Sequence, residues 1–293
     1  MRVSALLPLL GFFSGLILAN SSFSPQLRAV FSAFLSRLFI PIVIIYNMVF
    51  YQAGSLSLML FSFFSAILLF FIYFLLSKDR LQALCFSYTN MAWLGFPIAI
   101  ALFGEEISSA MIAIYVGGSI FGNVWAVASV STTPLALGDM FKKVLKSPPV
   151  VALLLAALFR VLQLQTLEDH QWIEAIYQFS KWGMVFTGMS VLGMWLRKTK
   201  VHWVDLIYSF KIALLKVFCG LVFCSFAYYF LAIANIHEYI GVMFLLFCLP
   251  PAANIVALET HYQGTGVSAK YIASGTIVSC VICVLYGAVV HLS

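Results

Sequence analysis

Two asparagines in this chain stand beside prolines inside long apolar runs. Asn90 opens the stretch Asn90-Met-Ala-Trp-Leu-Gly-Phe-Pro97, and Asn254 closes the stretch Leu249-Pro250-Pro251-Ala-Ala-Asn254. Proline removes a backbone donor and clashes with the preceding turn, so a helix opens there. The start of a half-helix carries about half a positive elementary charge. A carboxamide beside it adds neutral donors and acceptors. That combination suits reversible capture of an anion. It does not suit bond making, and the enzyme motifs are missing: no His-Glu-x-x-His, no Gly-x-Ser-x-Gly, no phosphate loop and no intramembrane aspartate pair. No catalytic residue and no cofactor are expected. The six cysteines lack zinc-site or disulfide spacing, so no metal is expected either.

The elements that must position these residues are membrane-length. Of 293 residues, 63% are hydrophobic and 9% charged, with a mean hydropathy of +1.05. A soluble domain has about 45–50% apolar and about 25% charged residues, so the composition implies an all-α polytopic membrane protein. Ten apolar segments are expected. The first five are Val3–Ala19, Ala29–Phe50, Leu56–Leu76, Leu81–Phe103 and Ile107–Val130. The last five are Pro149–Leu164, Trp172–Leu196, Val204–Ile233, Tyr239–Leu258 and Val267–Val290. Most match the roughly 20 residues a hydrocarbon core requires. Met1–Ser22 carries the Arg2, apolar run and Ala19 of a signal peptide. Its removal would unbalance the two sets, so it is read as the first span.

Lysine and arginine give the orientation. With both termini outside, the inner loops hold Arg28, Lys78, Arg80, Lys142, Lys143, Lys146, Arg197, Lys198, Lys200 and Lys270, while the outer side holds Arg2. Outer loops carry Glu105, Glu106, Glu168, Asp169 and Glu238. The net charge of +6 then reflects loops facing an anionic leaflet, and no nucleic-acid partner is needed. Five spans per half put the halves in opposite orientation. A 5+5 inverted repeat follows: residues 1–131, a cytoplasmic connector at 132–148, and residues 149–293. The proline breaks fall in the fourth segment of each half. Paired interruptions of this kind mark the binding site of many transporters.

Other polar residues in the spans admit two readings. Lys181 and Lys216 fall near mid-depth, where a charge is a functional candidate. Each either receives an anionic substrate or snorkels and pairs. Asn47, Asn123, Thr276 and Ser279 either line a cavity or allow close helix packing. No Asp or Glu falls mid-span, so an acidic sodium or proton site is not visible, and Glu259 is expected at the inner mouth of the ninth span.

The chain resembles the auxin efflux carrier family in its compact bacterial form. The resemblance rests on Asn90 to Pro97 followed by Ala101-Leu-Phe-Gly104, on Leu249 to Asn254 followed by Ala257-Leu-Glu-Thr-His-Tyr262, and on Ala273-Ser-Gly-Thr276-Ile-Val-Ser279. It implies the fold of bile-acid/sodium symporters. Spans 1, 2, 6 and 7 would form a scaffold that often dimerises, and spans 3–5 and 8–10 a transport domain moving as an elevator. Substrate would bind where spans 4 and 9 cross, at Asn90, Pro97, Pro250, Pro251 and Asn254, with either Pro250 or Pro251 marking the crossing. The implied function is a permease for small organic anions such as malate or malonate, in a bacterial inner membrane. Sodium- or proton-coupled uptake and a non-transporting sensor or partner-binding subunit are the alternatives.

Overall fold

The computed structural model describes residues 3–50, 54–122, 145–167, 170–263 and 267–292, with residues 125, 129, 138 and 142 between them. Every named element among the described residues is helical. Those used below are α1 (Val3–Leu18), α2 (Ser24–Val49), α3 (Ser55–Ser77), α4 (Arg80–Ser87), α5 (Met91–Phe103), α6 (Ser108–Phe121), α7 (Pro148–Val161), α8 (Gln171–Leu196), α9 (Trp203–Phe230), α10 (Ile236–Cys248), α11 (Asn254–Gln263) and α12 (Ser268–Leu292). Helices α2, α3, α9 and α12 are long and apolar enough to cross a membrane. Shorter apolar helices include α5, α7 and α10.

Local chemistry explains the boundaries. Asp79 caps α4 by accepting from the Leu81 and Gln82 amides at 2.8 and 3.1 Å. His202 and Asp205 form a reciprocal capping box at the start of α9. Pro148 and Pro149 open α7, where a missing donor costs nothing. Among the described residues, α2 and α5 each contain a π-turn just ahead of a proline. Leu35–Phe39 precedes Pro41 in α2, and Met91–Gly95 precedes Pro97 in α5. The wider turn absorbs the donor and the space that each proline denies its own helix. Pro97 therefore sits inside a helix. The fourth segment is interrupted earlier, between Ser87 and Met91, and the ninth between Cys248 and Asn254.

The chain divides into two compact units. One comprises Met1–Ser55, Ala92–Ile112 and Leu145–Lys198, and the other Leu56–Met91, Ala113–Val144 and Thr199–Ser293.

In the first unit, α1 and α8 pack backbone to backbone. A Cβ added at Gly15 would lie 2.1 Å from the Ser190 carbonyl oxygen, and one at Gly193 would lie 2.4 Å from that of Phe12. Gly11 and Gly15 have the small-xxx-small spacing that permits such approach. The Ser190 hydroxyl donates to the Gly11 carbonyl at 3.0 Å across the same contact. Leu94, Met189 and Leu192 form a buried cluster with Phe12 and Ile98 against it.

In the second unit, α12 presents a buried stripe that includes Ile272, Gly275, Thr276, Ser279 and Cys283. Gly117 in α6 lies where a Cβ would come within 2.1 Å of the Met59 carbonyl oxygen, and Gly122 where one would meet the Tyr88 ring at 2.2 Å. Large apolar side chains point outward from both units, among them Phe13, Ile17 and Leu154 in the first and Phe64, Phe218 and Val284 in the second. Contiguous exposed apolar surface of this kind fits contact with lipid.

Candidate functional site

The two interrupted segments meet within the second unit. The Asn90 amide donates to the Pro250 carbonyl at 2.9 Å, and the Ala252 amide donates to the Tyr88 carbonyl at 2.8 Å. Thr89 and Pro251 thus form an isolated antiparallel bridge. In this pairing residues 89 and 251 are the pair whose own amides stay out of the ladder. A proline is admitted at position 251 for that reason, since its missing donor is not called upon. Pro251 therefore stands opposite Thr89, and Pro250 supplies an accepting carbonyl.

This geometry changes two expectations. The first crossing residue is Thr89, beside Asn90 and eight residues before Pro97, so Pro97 shapes α5 and does not stand at the crossing. The amides of Asn90 and Ala252, expected to remain open for an anion, are used between the segments. Buried main-chain groups pair when a partner is in reach, because an unpaired one is costly.

A cavity of about 50 Å³ lies next to the ninth break. Lys216, Pro250, Pro251, Gly275 and Ser279 line it, together with Tyr73, Gln82, Tyr208 and Tyr271. Gly275 keeps the wall close to the break: a Cβ there would make a tight contact, 3.0 Å from Pro251 Cδ. Lys216 lies mid-way along α9 with 4% of its surface exposed. Its ammonium donates to the Leu249 carbonyl at 2.8 Å. That carbonyl lies just past the last residue of α10, Cys248, where the backbone turns extended and the helix ladder stops. The C-terminal end of a helix carries about half a negative charge, which an ammonium offsets.

Several other polar groups of the wall are hydrogen-bonded to neighbours. The Gln82 amide donates to Asp79 Oδ2 at 3.1 Å and accepts from the Tyr208 hydroxyl at 2.7 Å. The Tyr208 hydroxyl in turn lies 3.0 Å from that of Tyr73. Ser209 and Ser274 share a hydrogen bond of 2.7 Å between α9 and α12.

The structure separates the other candidates. Asn90 is buried at the crossing, whereas Asn254 is exposed at the start of α11 and donates to the Tyr88 hydroxyl at 3.2 Å. Thr276 is buried and returns its hydroxyl to the Ile272 carbonyl at 2.7 Å, so it packs and does not line the cavity. Ser279 lines it. Asn47 and Lys181 belong to the first unit. Asn47 donates to the Val43 carbonyl at 2.7 Å, one turn back. Lys181 pairs with Glu105 at 2.6 Å and lies 5.1 Å from the centre of the Tyr177 ring. Asn123 lies outside the described residues. Glu259, expected at an interface, is fully buried and accepts from the Val267 and Ser268 amides at 2.8 Å each and from the Ser268 hydroxyl. It ties α11 to the first turn of α12.

Sequence reading missed Gln82 and the tyrosines of the cavity wall. Their signal was weak, because tyrosines are common near membrane interfaces. No protein-family model matches the chain, and no curated protein matches it.

Proposed function

We propose that the protein is a secondary transporter of small organic anions, of the kind the sequence resembles, binding its substrate beside the crossing of two interrupted helices. The observation that carries this reading is the pairing of Thr89 with Pro251 beside a cavity that holds a buried lysine. Non-helical backbone at membrane depth persists where it is buried in protein or lines a cavity. A buried intramembrane cation is by default functional. The grouping of residues into two compact units supports a moving body and a fixed one. On this reading the second unit, which contains the crossing, carries the substrate between the two sides of a bacterial inner membrane.

Asn90 and Asn254 are assigned to positioning in this scheme. Asn90 secures the crossing, and Asn254 reaches Tyr88 from the exposed side. The test is counterflow of radiolabelled lactate, pyruvate, malonate and malate in proteoliposomes holding the full chain. Saturable exchange of at least one acid, lost in Lys216→Met, is the expected result. Absence of saturable exchange for every acid would remove the transporter reading.

A further inference from the structure

The cavity beside the ninth break holds one charge and little space, and both limits bear on what it can take. Among the described residues, Lys216 is the only charged one in its lining. Among the described residues no carboxylate lies within ion-pair distance of Lys216, in contrast to Lys181 with Glu105. An ammonium has three donors. One of them meets Leu249, which leaves two for another acceptor. Gln82, Tyr208 and Tyr73 are engaged with one another and with Asp79, so these three do not compete for those donors.

The volume of about 50 Å³ is well below the roughly 300–1,000 Å³ of a pocket for a drug-sized ligand, so only a small ligand fits. Most of the remaining wall is apolar, including Phe86, Ile212, Phe247 and Leu249 beside the two prolines, with Ser279 and Tyr271 as neutral polar members. It suits the short carbon tail of an acid and offers no second cation.

We propose that this cavity binds one small monoanion, a carboxylate of two or three carbons, through Lys216, and that it discriminates against dicarboxylates. The inference deepens the transport reading and rests on it for the ligand's class. The carboxylate supplies the counter-charge that a buried ammonium otherwise lacks. A dicarboxylate would bring a second negative charge into a wall whose described residues offer no second cation, which is costly.

Acetate, acetamide and malonate are the probes. Each is titrated into the purified full chain at constant ionic strength set with sodium gluconate, and thermal unfolding is followed. A ligand that binds the folded state raises the Tm with its concentration. Acetate should raise it saturably. Malonate should need at least a tenfold higher concentration, acetamide should have no effect, and Lys216→Met should not respond to acetate. Acetamide has the shape of acetate without its charge, so that comparison needs no variant. Equal stabilisation by acetamide, tighter binding of malonate, or a retained acetate response in Lys216→Met would each overturn the proposal. Acetate-specific stabilisation without counterflow keeps the site and removes the transport reading. Counterflow with unchanged selectivity in Lys216→Met removes the site and keeps transport.

Discussion

The ammonium of Lys216 stands 2.8 Å from the carbonyl of Leu249, so a charge from the middle of α9 closes the broken end of α10. Two opposing terms act on that lysine. Its charge-assisted bond contributes about 1.5–3 kcal/mol. Burying an ammonium without a carboxylate costs several kcal/mol. The second term is the larger, so the lysine is retained against stability. Lys216→Met is therefore expected to leave stability unchanged or raise it by about 1–4 kcal/mol, while anion binding is lost. Thermal unfolding of the purified variant checks this. A lowered Tm would make Lys216 a structural clamp.

The glycines of α6 give a graded test of close packing. A Cβ at Gly117 would fall 2.1 Å from the Met59 carbonyl oxygen, which is backbone and cannot retreat. At Gly118 the nearest atom, also at 2.1 Å, is the terminal methyl of Met91, which can swing aside. Outside α6, Gly138 has nothing within 4 Å among the described residues. Gly117→Ala should cost about 3 kcal/mol or more, Gly118→Ala about 1–2, and Gly138→Ala close to nothing, following the usual cost of overpacking. Thermal unfolding of the three variants in one detergent would read the order, and equal losses at Gly117 and Gly118 would contradict it.

The crossing was legible in the sequence as a pair of proline-broken segments, and its register was not. Both breaks contain proline and asparagine, which invites a symmetric reading. In the structure the prolines act differently. Pro251 stands at the bridge itself, whereas Pro97 lies eight residues beyond Thr89, inside a helix whose π-turn absorbs it. Nothing local distinguishes a proline that breaks a helix from one that a π-turn accommodates. The difference depends on whether another backbone lies opposite to accept the freed hydrogen bonds.

The lysines make the same point about charge. Depth along the span marked Lys181 and Lys216 alike. What separates them is the partner: Glu105 sits in a loop that sequence cannot place next to α8, while Leu249 offers a carbonyl that any residue type would carry. A main-chain ligand leaves no trace in residue identity. Likewise Glu259 reads as interfacial by position, yet its burial follows from the amides of α12 that it receives.

The Lys181–Glu105 pair is expected to respond unequally to loss of its two members. The lysine side chain is 3% exposed and the glutamate 41%. Glu105→Gln leaves an ammonium buried beside the Tyr177 ring without its ion-pair partner, with Glu174 acting on it from farther away. Lys181→Met leaves a carboxylate that reaches solvent. Glu105→Gln should therefore be the more damaging, by about 1 kcal/mol or more, since partial exposure screens the pair. A double-mutant cycle read by thermal unfolding measures both. Greater damage from Lys181→Met would show that the lysine stem packs more than its charge binds.

Glu259 provides the last test, because both of its oxygens are in use. One accepts from the Val267 amide and the other from the Ser268 amide and hydroxyl. A glutamine keeps one accepting oxygen and turns an NH₂ group towards a donor. One bond at the start of α12 is then lost, at about 1–3 kcal/mol for a buried group. The favourable charge at a helix N-terminus is lost as well, at about 0.3–1 kcal/mol. Since the contact is local, Glu259→Gln should speed hydrogen exchange in the first turn of α12 and leave α9 protected. Exchange unchanged in that turn would mean that the carboxylate does not hold α12 in place. Because α12 carries Gly275 and Ser279 to the cavity wall, the same variant should also weaken the acetate response, linking the cap at the helix start to the site farther along it.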